Sequence, residues 1–151
     1  MITYNRISQK DVAPIVQLGA EMHAESAFHN LEYCNDKVTR WLQGYINNPQ
    51  SSFCLCAYQD DALIGMIIGD ITPYFFGNET IATNQVWYVH KERRGTLVGV
   101  KLLKAFNSWA KENGVREVCI GISTALYLDR THKLLGRMGF SHVGGTFKAK
   151  P

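Results

Sequence analysis

The stretch Val86-Trp87-Tyr88-Val89-His90-Lys91-Glu92-Arg93-Arg94-Gly95-Thr96-Leu97-Val98-Gly99-Val100-Lys101-Leu102-Leu103 changes its periodicity partway along. Val86 to Val89 is a short run of β-branched and aromatic residues, the composition of a strand. From Val98 onward the apolar positions Val98, Leu102, Ala105 and Trp109 recur at steps of four, three and four, which is one face of a helix. Lys101, Lys104, Asn107, Ser108 and Lys111 take the opposite face, and Gly114 supplies a stop. The stretch therefore reads as strand, charged turn and helix.

Its junction, Arg93-Arg94-Gly95-Thr96-Leu97-Val98-Gly99, carries the chemistry. Glycines at a helix start let peptide N–H groups approach a ligand, and those groups form the positive end of the helix dipole. Phosphate is the natural guest, and arginine can grip it through two parallel hydrogen bonds. The bland alternative is an ordinary strand-to-helix turn beside a solvated basic patch.

Composition bounds the rest. At 151 residues, with 46% hydrophobic and 19% charged residues, the chain reads as one globular domain, 1–151, able to bury a sizeable core. Disordered and fibrous classes are excluded. The net charge of +3 is spread without a run of like charge, so a concentrated nucleic-acid face is not expected. Cys34, Cys54, Cys56 and Cys119 have neither zinc spacing nor a Cys-x-x-Cys pair. They read as buried free thiols, no metal site is expected, and a reducing, cytoplasmic setting suits them. No signal pattern and no apolar run of membrane-spanning length is present, so no membrane partner is expected.

Val89 to Leu103 resembles the coenzyme-binding motif of the GNAT N-acetyltransferases, an apolar strand ending in Val, then Arg-Gly-x-Gly-x-Gly, then a helix with paired Leu. Arg94, Gly95, Gly99 and the Leu102-Leu103 pair fall on that pattern, whereas Leu97 replaces the middle glycine and must turn its side chain away from the ligand. Met138-Gly139-Phe140 is similar to the Leu-Gly-Phe that ends the family's last helix. The resemblance implies an α/β (α+β) GNAT fold, with a mixed sheet of about six or seven strands, about four helices on its two faces, and splayed parallel strands at the centre. It implies acetyl-coenzyme A as cosubstrate, held by Trp87, Tyr88, Val89, Arg93, Arg94, Gly95, Thr96, Leu97, Val98, Gly99 and Val100. The compact length and the loop variant look like those of small phage and bacterial members. Dimerisation is frequent in that family, and a strand at Ser141 to Lys148 would be the edge for a homodimer.

Taken in order, Ile2 to Ile7 alternates as a first strand, and Ser8 with Asp11 forms a relative of the capping box before a helix running to about Ser26. A connector, Ala27 to Asn35, leads to a second helix from Asp36 to Asn48. In the resemblance these helices wall the acceptor groove, making Glu21, His23, Glu25, His29, Glu32 and Tyr33 contacts for a cationic acceptor, together with Gln85 from the central strand. Ser52 to Gln59 and Ala62 to Ile71 form a hairpin, with Gly65 and Gly69 marking a bulge or close approach. Thr72 to Thr80 is an aromatic loop, either packed or a lip of the substrate site. A short strand, Glu117 to Ile122, should run parallel to the central one after a helical crossover. A last helix from Asp129, its N-cap, to Arg137 precedes the closing strand, Ser141 to Lys148.

Catalysis is written less clearly. The family's usual Tyr, five residues before the Phe of Gly-Phe, is Leu135 here, and the usual Glu region holds Thr83, Asn84 and Gln85. A relocated proton carrier, His132 or Tyr127, is expected, with the Val89 N–H stabilising the carbonyl oxygen. The expected activity is acetyl transfer to a primary amine, on a small molecule or on a protein lysine or N-terminus, by direct attack in a ternary complex. A GNAT-fold protein that binds coenzyme A derivatives or a protein partner with little turnover is the alternative, and a basic interaction module is a third reading.

Overall fold

The computed structural model describes residues 1–151. The chain forms β1 (Ile2–Arg6), α1 (Val12–Glu25), α2 (Asn35–Asn47), β2 (Ser52–Gln59), β3 (Ala62–Pro73), β4 (Thr80–Val89), α3 (Val98–Glu112), β5 (Glu117–Cys119) and α4 (Leu128–Arg137). The strands lie in the order β1-β2-β3-β4-β5; the first four are antiparallel neighbours, and β4 and β5 are parallel. This is the expected mixed sheet, joined at β4 and β5 by the α3 crossover.

Period-two alternation divides the core. Along β2, Phe53, Leu55 and Ala57 face α3, where they join Leu102, Leu103, Phe106 and Ala110. Cys54 and Cys56 point the other way, into a second cluster with Ile15, Val16 and Leu18 of α1 and Leu42 and Tyr45 of α2. Helices thus cover both faces. Asp11 is fully withdrawn from solvent, accepting from the Ser8 N–H at 2.8 Å and the Tyr58 hydroxyl at 2.7 Å. That side chain anchors the start of α1.

The register of β3 on β4 passes from Ile68 opposite Val86 to Gly69 opposite Asn84, leaving Gln85 as the extra residue of a bulge. Glycine is required beside it. A Cβ on Gly69 would lie 2.5 Å from the Thr83 carbonyl and 2.6 Å from the Phe106 ring, so α3 approaches the sheet there at backbone distance.

Several expectations need correction. The sheet has five strands, not six or seven. Ser141 to Lys148 is not a strand: Gly144 and Gly145 offer no side chains to pack, Val143 and Phe147 are exposed, and no backbone hydrogen bond is made beyond Phe140. β5 ends at Cys119 instead of Ile122. The strand before α3 begins at Thr80, and α4 begins at Leu128 after Tyr127, which takes the N-cap position expected of Asp129. The aromatic loop is a hairpin tip whose Phe75 and Phe76 face solvent and pack only within the loop, their rings meeting edge-on at 5.1 Å. Only Cys54 and Cys56 are buried thiols; Cys34 and Cys119 are exposed. No helix is long and apolar enough to cross a membrane.

Candidate functional site

β4 and β5 pair only where Ile81, Ala82 and Thr83 face Glu117, Val118 and Cys119. One residue on, a side chain replaces the ladder. Asn84 Oδ1 accepts from the Gly121 N–H at 2.8 Å, and its Nδ2 donates to the Gly121 carbonyl at 3.0 Å. A carboxamide offers the same donor and acceptor as a peptide group, so Asn84 holds the two chains a side chain's length apart. Past it they diverge around a cavity of about 590 Å³, with Gln85 to Val89 on one side and Gly121 to Thr124 on the other. The Ala27 N–H, donating to the Thr124 carbonyl at 3.0 Å, ties the α1–α2 connector to the second wall.

The β4 wall presents peptide groups. His90 N–H donates to the Ile64 carbonyl at 2.8 Å, which fixes the kind of pair at the end of the β3–β4 ladder. Because antiparallel pairs alternate, Trp87 and Val89 turn their N–H and C=O groups away from β3 and toward the gap. The Val89 carbonyl is met there by Arg94 Nε at 3.1 Å.

At the end of β4, a 3₁₀ turn over Lys91–Arg93 leads to Gly95, whose φ of +82° favours glycine. Thr96 Oγ1 donates to the Arg93 carbonyl at 2.7 Å, and Lys101 N–H donates to the Leu97 carbonyl at 2.9 Å. The N–H groups of Gly95, Thr96, Leu97, Gly99 and Val100 have no backbone acceptor. These donors converge at the positive end of α3, and Arg93, Arg94, Arg130 and Arg137 line the same cavity. The donor set fits a pyrophosphate. Leu97 is 65% exposed, so its side chain leaves the row of donors open. A Cβ on Gly99 would meet Val89 and Trp87 at 3.5 and 3.8 Å, which is ordinary contact; the fold does not demand glycine there.

Arg94 has a further partner. Its guanidinium pairs with both oxygens of Glu25, Nη1 to Oε2 at 3.3 Å, and the Tyr88 hydroxyl donates to the same carboxylate. The rings of Tyr88 and Tyr127 flank the guanidinium at 5.3 and 5.1 Å. Burial acts to raise the Glu25 carboxyl, but the hydrogen bonds from Arg94 and Tyr88 outweigh it and hold the group below the ordinary carboxylate range. Burial and the Glu25 carboxylate push the Tyr88 hydroxyl well above its usual value. Arg94 is thus largely neutralised within the protein, which leaves Arg93, Arg130 and Arg137 as the cavity's uncompensated guanidiniums.

A model of the acetyltransferase (GNAT) family matches residues 19–140. The chain belongs to this family. Among solved structures, a predicted acetyltransferase from Clostridium acetobutylicum with acetyl-CoA aligns at a TM-score of 0.80 and 16% identity, covering 99% of this chain and 96% of that one. An aminoglycoside N-acetyltransferase in complex with the bisubstrate analogue CoA-S-monomethyl-acetylneamine aligns at 0.80 and 13% identity, covering 100% and 98%. Glucosamine-6-phosphate N-acetyltransferase from Arabidopsis thaliana aligns at 0.78 and 10%, covering 99% and 98%. At such identities the likeness is one of fold. Among curated proteins, none matches the chain.

Within this GNAT domain the residues expected at the site divide. Trp87, Tyr88, Val89, Arg93, Arg94, Gly95, Thr96, Gly99 and Val100 border the cavity, as do Gln85, Tyr33, His23 and Tyr127, whereas Val98 is core. His132 does not border it: α4 turns Arg130, Thr131, Leu134 and Arg137 inward, and the His132 ring lies 5.3 Å from His142 on the other side. Of the expected acceptor contacts, His23, Tyr33 and Gln85 border the cavity, whereas Glu21, Glu25, His29 and Glu32 do not. Glu21 pairs with His90 at 3.3 Å, Glu25 is committed to Arg94, His29 Nδ1 bonds the Ser26 carbonyl at 2.9 Å, and no carboxylate lines the cavity. Sequence reasoning missed Arg130 and Arg137. Their signal was present, since Arg130, Leu134 and Arg137 stand at the i, i+4, i+7 spacing of one helical face.

Proposed function

We propose that this domain transfers the acetyl group of acetyl-coenzyme A to a primary amine, small or on a protein, by direct attack within a ternary complex. The observation that carries the reading is the row of peptide N–H groups without backbone acceptors at Gly95 to Val100, opening on a cleft bordered by the strand edge at Trp87 and Val89. The N–H groups and Arg93, Arg130 and Arg137 hold the phosphates. Bound acetyl-coenzyme A supplies a thioester carbonyl carbon open to attack by an amine. The Val89 N–H, turned into the gap, is the donor for a carbonyl oxygen there. The Tyr127 hydroxyl is the cavity's proton donor, and the His23 imidazole receives the proton that an ammonium must shed before its nitrogen is nucleophilic.

The lining also bears on the acceptor. With three uncompensated arginines and no carboxylate, the cavity repels a polycation. Tyr33, Phe28, Met22 and Gln85 suit a single amine on an otherwise uncharged or aromatic body.

Thermal unfolding tests coenzyme binding. Acetyl-coenzyme A at about a hundred times its dissociation constant adds roughly 2.7 kcal/mol, or roughly 5–10 °C in a domain of this size. ATP and NAD should leave the midpoint unmoved. Thiol release across a panel of amines then tests transfer, with monoamines expected to outrun polyamines and aminoglycosides. A raised midpoint with no thiol release from any amine would leave a coenzyme-binding protein without turnover.

A further inference from the structure

The last residues of the chain return to the cavity. The Phe140 N–H donates to the Leu135 carbonyl at 3.0 Å and the Phe140 ring packs on the core, but no backbone hydrogen bond holds the residues that follow. Two side chains place them instead. His142 stacks beside His132, and the Lys148 ammonium stands 4.6 Å above the centre of the Phe28 ring. Phe28 lines the cavity, on the connector that the Ala27–Thr124 bond fastens to the second wall. An exposed cation–π contact is weak, so it brings the amine to the rim without locking it there. No carboxylate lines the cavity, and the Phe28 ring is the lining group that the Lys148 ammonium meets. The eight residues from Ser141 to Lys148 make no backbone hydrogen bond and span roughly 15 Å as a random coil, and a tether of that kind gives an effective concentration of about millimolar.

We infer that Lys148 is an acceptor for the domain's own acetyl transfer, its amine entering the cavity from the same chain. This rests on the acetyl transfer proposed above and names one amine that it serves. Lys148 Nζ first sheds a proton to free its lone pair. A bond forms from Nζ to the thioester carbonyl carbon and the carbon–sulfur bond breaks. Nζ gives up a second proton, and the sulfur leaves as the thiol carrying one. The products are an Nε-acetyl-lysine, free coenzyme A and one released proton, with nothing oxidised or reduced. The acetylated side chain is neutral and loses its hold on Phe28, so the reaction withdraws its own substrate from the rim.

The test incubates the full chain with acetyl-coenzyme A and maps acetyl groups by peptide mass. Lys148 should be modified with a rate constant unchanged by dilution of the protein, roughly a hundredfold faster than the same lysine in a free peptide of residues 141–151 supplied at ~10 µM. Lys148→Arg should remove that modification while acetyl-coenzyme A still raises the unfolding midpoint. A second readout needs no coenzyme: an amine-reactive reagent should label Lys148 more slowly than Lys150, and Phe28→Ala should equalise the two. If the midpoint rises and added amines are acetylated, yet Lys148 is modified no faster than Lys150 or at a rate that falls on dilution, the inference is overturned and the acetyl-transfer reading stands. If acetyl-coenzyme A neither shifts the midpoint nor yields thiol, both are overturned.

Discussion

Glu25 and Arg94 stand 69 residues apart in sequence and share two hydrogen bonds. Glu25 ends α1, and Arg94 opens the loop whose N–H groups lack backbone acceptors. The two sides of the cleft are therefore braced against each other through one ion pair whose side chains are only 27% and 17% exposed.

Glu25→Gln keeps the shape and removes the charge, and should cost about 1.5–3 kcal/mol, the range for hydrogen bonds to charged groups. Urea unfolding at neutral pH measures it. The pH dependence has a definite sign: because folding lowers the Glu25 carboxyl below its ordinary value of 4.5, its contribution is complete above that value and is lost as pH falls through the lower folded value. The stability difference between wild type and variant should shrink over that acidic window and stay constant from pH 6 to 8.

Two glycines should behave in opposite ways. Gly69→Ala drives a Cβ into the Thr83 carbonyl and the Phe106 ring and should cost about 1–3 kcal/mol, as overpacked cores do. Gly99→Ala meets only ordinary contacts and should fold as well as wild type. Gly99→Asp should also fold, but its carboxylate lies at the row of N–H donors, so acetyl-coenzyme A should no longer raise its unfolding midpoint. Undiminished binding by that variant would remove the loop from the site.

Arg130→Ala and Arg137→Ala should each weaken coenzyme A binding roughly tenfold, about 1.4 kcal/mol, while changing stability by under about 0.5 kcal/mol, as substitutions on exposed surfaces do. Titration calorimetry at two salt concentrations would show a shallower salt dependence in each variant. Equal affinities across wild type and both variants would place the phosphates elsewhere.

Tyr127→Phe keeps the ring that Arg94 and Arg130 lie against and removes the hydroxyl. Turnover should fall about a hundredfold, in the range of a lost general acid, with little change in coenzyme affinity. His132→Ala should leave turnover intact, because that ring faces His142 and not the cavity. The pair of rate constants separates the two proton carriers that the sequence left in competition.

What the sequence disclosed and what it concealed follow from range. The strand-turn-helix at Val86 to Leu103 depends on local periodicity and on glycine at a left-handed position, so it could be read directly, and with it the parallel crossover to β5 and the sheet's two covered faces. Gly69 was legible as a close approach, though not the Phe106 ring it admits. The side-chain bridge between β4 and the chain after β5 could not be read, because it turns on Asn84 meeting Gly121, 37 residues away, and an asparagine in a strand looks like any other polar residue. The acids of α1 misled for a related reason: the resemblance put Glu21 and Glu25 at the acceptor groove, but their partners His90 and Arg94 arrive from another part of the chain. The expected closing strand came from the resemblance, and Gly144-Gly145 argued against it from within the sequence.

Of the chain's three tryptophans, Trp109 is buried against Phe53 and Phe106, and Trp41 lies edge-on to Tyr45 of α2. Trp87 alone borders the cleft, its indole N–H donating to the Gly99 carbonyl at 3.1 Å. Indole emission follows the polarity around the ring. The fluorophore beneath the cradle is therefore the one whose colour and yield depend on what occupies it, so the protein carries a native optical gauge of its own occupancy without any added label.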